Sequence, residues 1–175
     1  KFSSRLGREE NFFLESSKIK ELETLNTNLN KTHHELLDML VKDKESGLFN
    51  RRKLLSDLPQ TKATCLLLLR IENYSTIMQY YGQESATTLL NSIIQALARE
   101  EYIELYRVAE NELALLVDYH DKNYFITLLH QLNALQVTCN TIELHPFVFA
   151  GLTIINKKGN ALEQATLALQ NAIEN

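Results

Sequence analysis

Residues 105–117 read LYRVAENELALLV and set two acids, Glu110 and Glu112, between two apolar segments. The flanking segments have strand character, so the acids fall at a hairpin tip, where carboxylates and backbone groups can reach a ligand. Two readings stand side by side: a metal site, or two solvated acids on a turn. Other chemistry is sparse. His33, His34, His120, His130 and His145 form no i, i+4 pair and no cluster with a cysteine, so zinc-type ligation is not expected. No Gly-rich phosphate loop, nucleophile elbow or Ser/His/Asp arrangement is present.

The 175 residues suffice for one domain with an appendage, and roughly 130 of them are enough for a real core. Cys65 and Cys139 are the only cysteines; their separation suits a reducing compartment rather than a disulfide framework. The expected location is the cytoplasm, with tethering of a parent protein to the inner membrane left open. The run LLLL at residues 66–69 is far below the roughly 18 residues of a membrane span. The chain begins at Lys1 and stops inside a helical pattern at Asn175, which reads as a piece of a longer protein. A formal charge of −4, with one small basic cluster at Arg51, Arg52 and Lys53, argues against direct nucleic-acid binding.

The elements that must position the acids follow from periodicity. Residues 11–41 hold no Pro or Gly, and Leu22, Leu29 and Leu36 recur every seven residues. With these at d, Phe12, Ile19, Asn26, His33 and Leu40 fall at a, a seam that favours a parallel two-stranded coiled coil. A second register puts the same leucines at a and Leu25, Thr32 and Met39 at d. Two overlapping seams allow the helix to rotate between packings, a physical route for a signal. From residue 43 the pattern changes to a turn at Ser46-Gly47 and a short amphipathic helix ending before Pro59. ATCLLLLRI predicts a central strand buried on both faces. A short helix over 74–80, a break at Gly82 and a longer helix over 85–99 follow, with Ala86, Leu89, Leu90, Ile93, Ile94 and Leu97 facing inward. Then come the hairpin, a helix over 122–135, the strand FVFAGLTII and a last helix from Ala161. Helices interleaved with one mixed sheet indicate an α/β or α+β sandwich.

Four stretches in order resemble the GGDEF family, bacterial diguanylate cyclases that join two GTP molecules into cyclic di-GMP. DKESGLFNRR is similar to the family's D-x-L-T-G-L-x-N-R-R and keeps Asp43, Gly47, Leu48, Asn50, Arg51 and Arg52. RIENYSTIMQYYGQ resembles D-I-D-x-F-K-x-I-N-D-x-x-G-H, with Ile71, Tyr74, Ile77 and Gly82 in register. RVAENEL resembles R-Y-G-G-D-E-F, and AGL with ATLALQNAI resembles S-I-G with A-D-x-A-L-Y-x-A-K. The resemblance implies an α+β domain over residues 43–175, with a central, mixed, mostly antiparallel five-stranded sheet flanked by helices. Residues 1–42 then form a signalling coiled coil.

Position by position, the resemblance implies that the active site is degenerate. The family's metal-binding Asp is Arg70 here and its signature acid is Asn111; a permanent cation in place of an anionic ligand repels Mg²⁺. The guanine-reading positions are Met78 and Thr87, which lack the paired donors and acceptors that a base requires. The signature glycines become Ala109 and Glu110, and the phosphate-binding Lys of the last helix becomes Ile173. Glu112 alone keeps its family identity. The product-inhibition R-x-x-D falls on Glu100 and Ile103, so feedback binding is not expected. Arg70 beside Glu112 is expected to form an ion pair where a metal would sit.

The function so implied is a catalytically inactive regulatory and dimerisation module without cofactors. It would relay dimer geometry to a neighbouring EAL-like domain. Its dimer contact would run through Ile19, Leu22, Leu25, Asn26, Leu29 and Leu36. Two alternatives remain: a cyclase or GTP-binding allosteric domain with an atypical site, and an adaptor for a protein partner in regulatory-RNA decay.

Overall fold

The computed structural model describes residues 3–156 and 159–174, with side chains from Lys18 onward except His34. It forms two compact units, Lys1–Leu40 and Val41–Asn175. The first is carried by helix α1 (Ser3–Val41). Ile19, Leu22, Leu25, Leu29 and Leu36 are each more than half exposed. The side chains of Phe12 and His34, assigned to or beside the seam, lie outside the described residues.

The second unit is a five-stranded sheet built from β1 (Phe49–Asn50), β2 (Cys65–Ile71), β3 (Glu104–Ala109), β4 (Glu112–Val117) and β7 (Val148–Ile154), in the order β1-β3-β4-β2-β7. β1 pairs parallel to β3 and every other pairing is antiparallel. The continuous apolar run of β2 follows from its place: β4 and β7 flank it, and helices cover both faces. One face carries Leu67, Leu69 and Ile71 against α3 (Tyr74–Leu97) and α4 (Lys122–Asn133). The other carries Leu66 and Leu68 against α2 (Arg51–Asp57) and α5 (Ala161–Glu174).

α3 is bent at Gly82, whose φ of 87° lies in the left-handed region that glycine adopts without penalty. Asn50 starts α2 as its N-cap, accepting from the N–H groups of Arg52 and Lys53. Gly151 in β7 has a packing role, because a Cβ there would overlap the Ala165 carbonyl oxygen of α5. Two features were not expected from sequence: the two-residue β1, and a hairpin of β5 (Val137–Cys139) and β6 (Ile142–Leu144) that turns through Asn140 at φ 56°. None of the described helices is long and apolar enough to cross a membrane.

Candidate functional site

The β3–β4 hairpin closes with Ala109 opposite Glu112, leaving Glu110 and Asn111 as its turn. A bulge between Arg107 and Ala109 shifts the register, which bends the strand and re-aims the tip. Across the sheet, Glu112 is the register partner of Arg70 at the end of β2. The two meet through Arg70 Nε and Nη2, which donate to one carboxylate oxygen, Glu112 Oε1, at 2.9 and 2.7 Å. Both side chains are half-buried, so the expected ion pair is present. Asn111 is also engaged: its carbonyl oxygen accepts from the Ile71 N–H at 2.9 Å, and its Nδ2 donates to the Ile71 carbonyl at 3.3 Å. Ala109 and Glu110 are exposed on the tip.

The remaining predicted positions are spread over α3, α5 and the connection between α3 and β3. Met78 is half-buried in α3 and packs on the core beneath the α3 face of the sheet. Thr87, further along α3, donates its hydroxyl to Glu45 Oε1 at 2.8 Å. Ile173 packs into the cluster on the opposite face of the sheet, so the fold does not bring it together with Met78 or Thr87. Glu100 accepts from the Tyr124 hydroxyl at 2.9 Å, and Ile103 is exposed.

The most connected side chain at the site is Arg107, which the sequence reading did not single out. It is 4% exposed. Its Nη1 donates to Asp43 Oδ1 at 3.0 Å and to Glu45 Oε2 at 2.6 Å. Nη2 donates to the Glu110 carbonyl at 2.8 Å and reaches the Tyr74 hydroxyl at 3.4 Å. Nε is buried without a hydrogen-bond partner. Arg107 therefore ties the loop at residues 43–45 to α3 and to the turn carrying Glu110.

Charge follows this geometry. Burial raises Asp43, but the Ser46 N–H and hydroxyl together with Arg107 outweigh it and hold its carboxyl below the ordinary range. Burial likewise raises Glu45, and the bonds from Arg107, Thr87 and Gln83 reverse it to a net lowering. Burial disfavours the Arg107 charge, yet its two carboxylate partners bring it above the ordinary value. A sequence signal for this cluster did exist. Leu105 and Arg107 share the inward face of β3 by strand alternation, and a cation on an inward face requires buried acids.

No protein-family model matches the chain, and no curated protein does. Solved structures do, and they show the fold: an α+β domain like that of GGDEF proteins, several of them with a preceding helix. The coiled coil and GGDEF domain of DgcB from Caulobacter crescentus, in complex with c-di-GMP, aligns with a TM-score of 0.76 at 13% identity, over 91% of this chain and 94% of that one. A diguanylate cyclase/phosphodiesterase from Caldicellulosiruptor saccharolyticus aligns at 0.70 and 21% identity, over 79% of this chain and 90% of that one. The S helix-GGDEF-EAL structure of Vibrio cholerae LapD, bound to c-di-GMP, aligns at 0.64 and 16% identity, over 85% of this chain and 38% of that one. The fold of this chain is that of a GGDEF domain, as the four motif resemblances led one to expect.

Proposed function

We propose that the chain is a catalytically inactive GGDEF-type regulatory and dimerisation module of a bacterial cyclic di-GMP signalling protein. The observation that carries this reading is the Arg70–Glu112 ion pair, with guanidinium nitrogens at 2.7 and 2.9 Å from the carboxylate. A divalent ion needs anionic oxygens gathered around an open position. Here one candidate acid is bonded to a cation, and the neighbouring Asn111 amide is spent on the Ile71 backbone, so the residues present do not fit two metals. Further support comes from Met78, which packs on the core, and from Thr87, whose hydroxyl is committed to Glu45. The exposed carboxylate of Glu110 stands on the turn where a triphosphate would have to approach.

The module works by geometry. α1 pairs in parallel with a second copy through Ile19, Leu22, Leu25, Asn26, Leu29 and Leu36, and a change of seam alters the dimer presented to a neighbouring domain. The EAL domain that follows in LapD is the model for such a neighbour, and the working compartment is the cytoplasm. Calorimetric titration of the chain with GTP and Mg²⁺, with chromatography for cyclic di-GMP, tests the proposal. The expected result is no saturable heat below millimolar GTP and no product. Either a tighter site or a product peak overturns it.

A further inference from the structure

The open edge of the sheet at β7 differs from the edge at β1, which is blunted by being only two residues long. Register identifies its outward groups. The Glu72 N–H donates to the Phe147 carbonyl and the Ile155 N–H to the Thr64 carbonyl. Antiparallel pairs alternate between bonded and non-bonded, so Phe149, Gly151 and Thr153 turn their backbone groups to β2. Val148, Ala150, Leu152 and Ile154 turn theirs outward. The first of these is already satisfied by a side chain that imitates a strand residue: the Val148 N–H donates to Asn133 Oδ1 at 2.8 Å, and Asn133 Nδ2 donates to the Val148 carbonyl at 3.0 Å. Among the described residues, nothing pairs the outward groups of Ala150, Leu152 and Ile154. β7 carries no Pro and no charge, the devices that ordinarily protect an edge.

Beside this edge runs an apolar groove of about 430 Å³, between Phe125, Ile126 and Leu129 of α4 and Leu67, Ala150 and Leu152 of the sheet. Because Asn133, the last residue of α4, bonds Val148 at the start of β7, the helix and strand run in opposite directions along it. Lys122, the first residue of α4, is exposed and is the one charged residue lining the groove, next to Tyr119.

We propose that β7 and α4 form a peptide-docking site, in which an extended segment of a partner protein adds as a sixth strand. It would place alternate apolar side chains in the groove and a carboxylate against Lys122. Main-chain bonds to Ala150, Leu152 and Ile154 supply affinity, and the groove supplies specificity. The charge selects the occupant: a second copy offering its own β7 brings no acid to Lys122, since Val148–Ile154 contains none.

The test pans a random seven-residue phage-displayed peptide library on the full 175-residue chain. The selected peptides are then synthesised for calorimetry and amide hydrogen exchange. Enriched sequences should alternate apolar residues and carry Asp or Glu near one end, and their binding should slow exchange at Ala150, Leu152 and Ile154 by about tenfold or more. Lys122→Glu, on an exposed position that leaves the circular dichroism unchanged, should weaken those peptides about tenfold and shift a fresh selection to Lys or Arg. The proposal is overturned by a library that does not enrich, by protection at amides elsewhere, or by affinities indifferent to Lys122→Glu. It is overturned equally if the edge amides are already protected in a concentration-dependent way by pairing of two copies.

Discussion

Replacing Arg107 with alanine removes the cation that two acids share. Truncating one member of a buried ion pair costs about 3 to 5 kcal/mol, because the abandoned charge stays desolvated. Asp43 and Glu45 retain 29% and 31% of their side-chain exposure, so water can reach both once the guanidinium is gone, and about 2 to 3 kcal/mol is the expected loss at pH 7. The pH dependence gives an independent signature. Both carboxyls lie below their ordinary values of 3.8 and 4.5 in the folded domain. Their contribution is therefore complete above the unfolded values and is lost as pH falls through the lowered folded ones. Between about pH 5 and pH 3 the wild-type chain should lose stability more steeply than Arg107→Ala, and the gap between the two should narrow. Urea unfolding followed by tyrosine emission suits the measurement, since the chain has no Trp. A variant within about 0.5 kcal/mol of wild type at pH 7, or one with an unchanged acid slope, would refute the reasoning.

The other expectations rest on separate features. Gly151→Ala should destabilise the domain by at least about 2 kcal/mol in urea unfolding, because its methyl group meets α5 backbone that cannot rotate away. Arg70→Ala should cost about 1 kcal/mol in the same assay, the value of a partly buried cross-strand ion pair; no measurable cost would show the pair to be incidental. Changing Leu22, Leu29 and Leu36 together to Gln should convert a dimer to a monomer at tens of micromolar by light scattering, while a dimer that persists would mean that the seam lies elsewhere.

The fold was legible where a pattern ran long enough to have a period. The aliphatic run of β2, the apolar segments around residues 105–117 and the break at Gly82 all appear where the sequence places them. β1, at two residues, and the three-residue strands β5 and β6 are too short to show alternation, and Asn140-Thr141 lacks the glycine that marks a two-residue hairpin. At the site, Arg70 and Glu112 could be paired in advance because the family resemblance sets both beside one metal position, and the register of β2 and β4 brings them together. Arg107 and Glu45 could not. Strand alternation puts Arg107 on an inward face, but nothing local names its partners, and its bond to Glu45 links positions whose proximity only tertiary packing creates.

The position of β2 in the sheet also bears on how the chain is made. Leu68 pairs with Ala114 on one side and Gly151 on the other, so a ribosome must synthesise most of the domain before this strand has both neighbours. Until then CLLLLRI is a short, uncharged-to-the-last-turn segment of high strand tendency with unsatisfied edges, the type of sequence that associates with other nascent copies. A message truncated ahead of residue 148 would therefore yield aggregate rather than a smaller domain, and production of the intact chain should depend on chaperones that shield this one segment during translation.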